Sequence, residues 1–436
     1  MKRFMIGWTF ARIVGSWSDV LWWIDTCFSS VLGMDEKWEM LRHPCGRGRT
    51  REVEAMRVLV LGSGMMGAAI AQDMCDSDEV SDVVLADLDK KKVDAAVARL
   101  KSDNVSGRRL DVKDVQATKK LMKGFDVAVC ALPEGLNTYA SKAAIGAKVH
   151  VVDLAYGHRQ LDFDGSAKKA GIAIVLDCGV APGMTNILAA HGASLMDGVD
   201  DIRIICGGLP QKPLPPLGYR ITWSTWGLIN MYCGKARIVK DGKIVQVDAM
   251  SDLERIEFPG IGELEAFTTD GLSTLLLTMK GKVRNMVEKT ARYPGHAEKI
   301  LAMRDLGLFD TNPVDVGGVK IVPRNMAVSV LDKTLGQGDE RDVTVLRVDV
   351  AGRKNGKNVA RSFVMVDRFD EKRGVTSMAR TTGYTAAIVA RMVARGEIEE
   401  RGVVPPEKAV VKVFKRFLSE LENRGVRILE TSRIKN

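Results

Sequence analysis

The sequence predicts an α/β protein with a Rossmann-type doubly wound parallel sheet and a second, α+β domain. Three observations predict it. From Met56 to Leu176, six apolar runs alternate with stretches of helical periodicity. The first run ends in Gly62-Ser63-Gly64-Met65-Met66-Gly67, a glycine fingerprint placed between a strand and a helix. Beyond residue 200, apolar runs are joined by Asp241-Gly242 and Asn355-Gly356, the residue pairs that tight hairpin turns demand.

The chain has 436 residues, 46% of them hydrophobic, with 64 Lys+Arg against 55 Asp+Glu and 7 Cys. Such a balance excludes a disordered chain, a collagen-like repeat and a small disulfide scaffold. The net charge of +9 is spread without a basic block, so no nucleic-acid partner is expected. The cysteines form no C-x-x-C pair and the five histidines do not fall at ligand spacing, so no metal site is expected. Reduced thiols in apolar runs suggest a cytoplasmic protein. Residues 1–55 hold five of the seven tryptophans and none of the later rhythm. They read as an extension, either upstream of a true start at Met56 or a disordered arm, with an amphipathic anchor as the lesser alternative. No apolar run there reaches the roughly 18 residues of a membrane span, so no membrane partner is expected.

From Met56 onward each element has a reason. Arg57 to Leu61 is a buried strand. Gly62 permits the tight turn, Gly64 lets backbone approach a pyrophosphate, and Gly67 lets helix pack on strand. Ser63, Met65 and Met66 complete the loop, whose following helix offers free N–H groups to phosphate. The second strand, Val83 to Ala86, ends in Asp87, about 20 residues past the fingerprint, where an acid accepts hydrogen bonds from the adenosine ribose. An acid there repels a 2′-phosphate and favours NAD over NADP, although Lys90-Lys91-Lys92 could reach round. The third strand, Val105 to Leu110, places Asp111 toward the adenine. The fourth, Asp126 to Ala131, leads into Leu132-Pro133, and Ala131, Leu132 and Pro133 stand beside the expected nicotinamide. Strands at Val149–Val152 and Ile172–Leu176 end in Asp153 and Asp177. Later strands are expected at Ile202–Cys206, Arg220–Ser224, Arg237–Val247, Val343–Val350 and Asn358–Val366. Ser377 to Arg395 and Val413 to Leu421 read as helices, with Val403-Val404-Pro405-Pro406 as a break.

Three segments, Cys178-Gly179-Val180-Ala181-Pro182-Gly183-Met184-Thr185-Asn186, Arg292-Tyr293-Pro294-Gly295-His296 and Thr381-Thr382-Gly383-Tyr384-Thr385-Ala386-Ala387, resemble the saccharopine dehydrogenase and lysine 6-dehydrogenase superfamily. The likeness runs from Met56 to about Arg427. It implies a nucleotide domain over 56–198, a substrate and dimerisation domain over 199–372, and C-terminal helices over 373–436 that pack back on the nucleotide domain. It also implies a homodimer or higher oligomer. The activity implied is NAD-dependent oxidation of a C–N bond in an amino acid, most like the oxidative deamination of the lysine side-chain amine. A saccharopine or carboxynorspermidine-type dehydrogenase is the alternative, and a non-catalytic NAD-sensing module a remoter one.

Removing a hydride from the carbon beside nitrogen requires a proton acceptor and an anchor for the substrate carboxylate. The planar fork of Arg292 suits a carboxylate, and the resemblance implies that role. Tyr293 stands beside it. His296 could relay a proton near neutral pH, and Asp153 could pair with a substrate ammonium. Trp223 and Ser224, with Thr222, are expected to line the pocket from the second domain. The reaction needs no thiolate, so Cys130 and Cys178 read as packing residues.

Overall fold

The structure is a computed structural model that describes residues 55–155, 158–336 and 341–435. The expectations for residues 1–54 lie outside it. The strands are β1 (Met56–Leu61), β2 (Val80–Asp87), β3 (Val105–Arg109), β4 (Val127–Cys130), β5 (His150–Asp153), β6 (Ala173–Val175), β7 (Gly198–Pro210), β8 (Lys235–Lys240) and β9 (Lys243–Asp248). They continue with β10 (Glu254–Phe258), β11 (Gly262–Thr268), β12 (Val283–Arg292), β13 (Val314–Val316), β14 (Val319–Ile321), β15 (Asp342–Lys354), β16 (Lys357–Arg368), β17 (Gly402–Val404) and β18 (Leu429–Lys435).

The first sheet is parallel, with seven strands ordered β17-β6-β5-β4-β1-β2-β3. The strand order reverses between β1 and β4, which opens the crevice where this architecture binds ligands. Strand β1 shows why its sequence is a continuous apolar run. Val58 and Val60 pack into the core on one face, Leu59 and Leu61 into the core on the other, and all four are buried. Each such side chain contributes roughly 1.5–3 kcal/mol. The seventh strand corrects the sequence expectation. Gly402-Val403-Val404 does not merely break a helix; it pairs in register with Ala173-Ile174-Val175 and closes the edge of the sheet.

The second sheet is mixed and nine-stranded, with a main path β10-β11-β12-β7-β15-β16-β18 and β8 and β9 joined through β12. Both expected hairpins form, with Asp241, Gly242, Asn355 and Gly356 at positive φ. The expected strand at Arg220–Ser224 does not form. Ser224 instead caps the helix Thr225–Cys233, accepting the Gly227 N–H at 3.2 Å. Strands β10, β11 and β12 were not foreseen, and β12 carries Arg292 as its last residue. The C-terminal segment also differs from expectation. After the helix Phe414–Asn423, residues 429–435 pair with β16 and so return to the second sheet rather than the first. The alternating charges of Glu430 and Arg433 suit such an edge, and Arg361 pairs with Glu430 at 2.5 Å.

The helix Ser377–Ala394 ties the two sheets together. Its Gly383 lies so close to the helix Met65–Cys75 that a β-carbon would meet Ile70 at 3.2 Å and Ala69 at 3.4 Å. Asp342, at the start of β15, accepts the N–H groups of Ser377 at 2.6 Å and Met378 at 2.8 Å and so holds the start of this helix. A second tie runs through Thr274, which donates to Glu407 at 2.9 Å and accepts from Asn186 at 3.2 Å.

Candidate active site

The glycine loop has the shape a dinucleotide requires. Gly62 sits at φ +100°, and a β-carbon there would lie 2.3 Å from the Ala131 carbonyl oxygen. At Gly67 it would lie 1.8 Å from the Gly62 carbonyl oxygen. Gly64 is different: a β-carbon there meets nothing within 4 Å, so its surface is open. Gly64 is also the N-cap of the helix Met65–Cys75 and supplies no capping side chain. The first N–H groups of that helix therefore remain for an anion. Ser63, Met65 and Met66 lie in this turn, and Ala131 extends β4 by donating to the Leu61 carbonyl at 2.8 Å. Leu132 and the exposed Pro133 follow it. These residues fit a pyridine dinucleotide.

Asp87 closes the loop from β2. Its Oδ2 accepts the Ser63 N–H at 2.7 Å and its Oδ1 accepts the Asp89 N–H at 3.0 Å. Partial burial works to raise its pKa, yet these bonds prevail and hold it below the usual carboxylate range. The helix after β2 is capped by Asp89, not Asp87, so Asp87 remains at the ribose position. Arg109 is its register partner across β2 and β3. Asp111 is exposed at the end of β3 and accepts the Lys113 N–H at 3.0 Å in a turn.

The substrate side is built on β12. Arg292 is 3% exposed. Its Nε donates to the Tyr232 hydroxyl at 3.1 Å, its Nη1 to the Ala291 carbonyl at 2.8 Å, and its guanidinium carbon lies 4.6 Å from the Tyr219 ring centroid. The Tyr232 hydroxyl also meets His296 Nε2 at 3.0 Å, and His296 Nδ1 meets the Leu217 carbonyl at 3.0 Å. A carbonyl can only accept, so Nδ1 carries the proton and Nε2 accepts from Tyr232. Burial and the Arg292 charge push the His296 pKa down to about 3, which keeps this tautomer neutral. The chain of donors runs Arg292 to Tyr232 to His296 to Leu217. Among the described residues Nη2 of Arg292 has no hydrogen-bond partner.

Several expected contacts are corrected by this geometry. His296 does not relay protons near neutral pH, because both ring nitrogens are engaged and the ring is enclosed. Asp153 does not stand at an open strand mouth. It is fully buried, with Oδ1 accepting the Ala155 N–H at 2.8 Å and Oδ2 accepting Gln160 Nε2 at 2.8 Å. Burial raises its pKa to about 6. Tyr293 turns away from Arg292 and donates to the Pro210 carbonyl at 3.0 Å. Trp223 is 41% exposed and Ser224 is a helix cap; neither faces Arg292 through a hydrogen bond. Thr222 is the member of that trio that turns inward. It is buried, its Oγ1 has no partner, and it lies with Met378 against Gly208. Met378 follows Thr376, whose hydroxyl reaches Met65 of the glycine loop at 3.4 Å, so this contact leads from the nucleotide loop to the second sheet.

Tyr219 and Tyr232 were missed by sequence reasoning. Neither belongs to a motif, and only the packing of the helix Thr225–Cys233 against β12 brings Tyr232 to Arg292. Cys130 and Cys178 are buried, and burial, with the neighbouring carboxylates, raises both thiols, as expected for packing residues. Among the described residues no cluster of His, Cys, Asp or Glu could hold a metal, and no helix is long and apolar enough to cross a membrane.

Residues 58–175 match the saccharopine dehydrogenase NADP binding domain and residues 179–426 the saccharopine dehydrogenase C-terminal domain. The Saccharomyces cerevisiae saccharopine dehydrogenase (NADP+, L-glutamate-forming) is 24% identical over 80% of this chain and 93% of its own. The bovine mitochondrial alpha-aminoadipic semialdehyde synthase is 23% identical over 87% of this chain, which spans about half (48%) of that longer protein. The apo structure of the S. cerevisiae enzyme superposes with a TM-score of 0.73 at 23% identity, covering 87% of this chain and all (100%) of that one. With both domain models matched in order over most of its length, the chain belongs to the saccharopine dehydrogenase family of oxidoreductases.

Proposed function

We propose that this protein oxidises the C–N bond of an amino acid with NAD, holding the substrate carboxylate on the Nη2 edge of Arg292. The observation that carries the reading is the Arg292 site itself: a buried guanidinium fixed by Tyr219 and Tyr232, with one edge unspent. A guanidinium so held loses little further freedom when it grips a carboxylate in a fork. The nucleotide supplies the hydride acceptor. The chain's part is to align the substrate carbon, to exclude water around Arg292, and to keep the amine beside the nicotinamide. Because Asp153 and His296 are enclosed, the amine is taken up already deprotonated, and turnover rises with pH as free amine becomes available.

Two substrates fit. The names of the relatives favour a secondary amine of the saccharopine type; the Synechocystis carboxyaminopropylagmatine dehydrogenase is a further relative, 23% identical over 84% of this chain. Lysine 6-oxidation is favoured by the Arg292 cluster, where Tyr219, Tyr232 and His296 surround a single guanidinium matched to a single carboxylate. NAD is favoured over NADP by the anionic Asp87, while Arg109, its register partner, and Lys92, whose charge acts on Asp87, are the nearby cations a 2′-phosphate would draw on. The homo-oligomer implied by the resemblance is supported by Trp223 and Trp226, the latter 48% exposed, on the second domain.

Absorbance at 340 nm tests the reading, with NAD or NADP and a panel of L-lysine, saccharopine and carboxynorspermidine. Reduction with one of these, and a raised KM for it in Arg292→Ala with NAD binding unchanged, is the expected result. Silence across the panel with NAD bound would overturn the enzymatic reading in favour of the nucleotide sensor.

A further inference from the structure

Glu288 is an acid that the reaction described above does not use. It lies on β12 four residues before Arg292, and alternation along a strand puts Glu288, Thr290 and Arg292 on the same face. Thr290 stands between the other two, in register with Cys206 of β7. Its hydroxyl lies 2.8 Å from that of Thr269, and the Thr269 hydroxyl lies 2.6 Å from Glu288 Oε2. The three groups form a continuous row that joins a buried carboxyl to the strand position beside the guanidinium.

The two ends of the row differ. Glu288 is sealed, and Gly271 closes over it so tightly that a β-carbon there would lie 2.6 Å from the carboxyl carbon. Thr290 keeps 5% of its surface open. Its other neighbour is the Met231 sulfur at 3.5 Å, a weak acceptor on the helix that also supplies Tyr232.

Hydroxyl hydrogens rotate to suit their partners. With Glu288 ionised, Thr269 donates to Glu288, Thr290 donates to Thr269, and Thr290 turns a lone pair outward. With Glu288 protonated every bond reverses, and Thr290 gives its hydrogen to Met231. The two arrangements differ by one proton, received at Thr290 and stored at Glu288. Burial raises the Glu288 pKa to about 8; the Thr269 hydroxyl, Arg292 and the Gly271 N–H oppose it, and Asp270 adds to it. Asp270 is itself paired with Arg237 at 2.9 Å, and Cys206 faces the row as a thiol that burial pushes up to about 12. Asp153 has no such lead toward Arg292, since its partner Gln160 passes on to Ser141 and Asn137.

We propose that Thr290 receives the proton released in the hydrolytic half of the reaction and passes it through Thr269 to Glu288. The inference rests on the oxidation proposed above. Once the hydride has left the substrate carbon, a cationic C=N group remains. Water adds to it: a C–O bond forms, the π electron pair moves to nitrogen, and one water O–H bond breaks. That proton goes to Thr290 Oγ1, the Thr290 proton to Thr269 Oγ1, and the Thr269 proton to Glu288 Oε2. Thr290 touches the reacting water; Thr269 and Glu288 act through it as positioning residues.

The test compares the full chain with Glu288→Gln, Thr290→Val and Thr290→Ser, using the amine that the parent oxidises. Rapid mixing separates the first NADH formed from later turnovers. Glu288→Gln and Thr290→Val should form the first NADH at the parental rate, then turn over about 100-fold more slowly, the scale of a lost general base. Both should lose the parent's pH inflection below about 8, and Thr290→Ser should stay within about threefold of the parent. Infrared titration of the chain without nucleotide gives a readout apart from activity: a carboxylic acid band that fades as pH rises through about 8 and is missing from Glu288→Gln. The proposal is overturned if Glu288→Gln or Thr290→Val keeps parental turnover and pH profile, if Thr290→Ser is as slow as Thr290→Val, if the first NADH slows as much as turnover, or if the band persists in Glu288→Gln. A parent that oxidises none of the panel overturns the oxidation reading and this inference with it.

Discussion

Tyr232→Phe removes one oxygen from the centre of the donor chain and leaves the ring packing in place. The lost hydroxyl receives Arg292 Nε at 3.1 Å and donates to His296 Nε2 at 3.0 Å, both inside the core. A buried neutral group left unsatisfied costs about 1–3 kcal/mol, and a charged one more, so the sum is about 3 kcal/mol of folding stability. Part of that cost is met by Arg292 swinging away from its position. The substrate carboxylate then loses its fixed fork, and KM should rise about tenfold, equivalent to about 1.4 kcal/mol, with kcat little changed. Urea unfolding measures the first quantity and steady-state kinetics the second. A variant within about 0.5 kcal/mol of the parent and with an unaltered KM would refute the assignment of Tyr232 as the positioning residue for Arg292.

Further outcomes follow from other sites. Gly67→Ala sets a β-carbon 1.8 Å from the Gly62 carbonyl oxygen, so NAD binding measured by fluorescence titration should be lost while the second sheet remains folded. Asp87→Ala removes the anion at the ribose and frees the Ser63 N–H; NAD should weaken and the preference over NADP should shrink, and an unchanged ratio would remove Asp87 from the site. Thr222→Val keeps the shape but deletes the unpartnered buried hydroxyl; if Thr222 contacts substrate, KM rises, and if it does not, the variant is more stable. Glu288 gives a pH signature. Burial raises its folded pKa to about 8 from 4.5, so the native state holds its proton where the unfolded state has lost it. Its stabilising contribution is therefore full below about pH 4.5 and lost as pH rises through 8. His296 acts oppositely, its contribution being present above pH 6.5 and lost as pH falls toward 3. Glu288→Gln should flatten the decline in unfolding free energy between pH 5 and 8, and an identical slope would contradict the buried protonated acid.

The nucleotide domain was legible because its rules are local. A glycine that needs positive φ, an acid at the next strand end and strands buried on both faces leave direct marks in sequence, and Gly62, Gly67 and Asp87 stand where those marks placed them. The short strand Gly402–Val404 was hidden because three residues carry no period; its partner β6 lies over 200 residues away. The strand expected at Arg220–Ser224 failed because Ser224 has a stronger local use as a helix cap. For Asp153 the residue type was read correctly as polar at a strand end, but exposure is a property of what packs over it, here Gln160 and the segment around Ala155.

The sequence by itself determined the parallel sheet and the dinucleotide loop, since turn stereochemistry and hydrophobic periodicity act over a few residues; the Arg292–His296 segment stood out only through the family resemblance. Only the tertiary structure decided what those residues do. It brought Tyr219 and Tyr232 to Arg292, withdrew His296 and Asp153 from solvent, turned Thr222 inward and linked Thr269 to Glu288 and Thr290. Burial sets the charge state of a side chain and hydrogen-bond partners set its direction, and both come from residues whose separation in sequence carries no signal of their meeting.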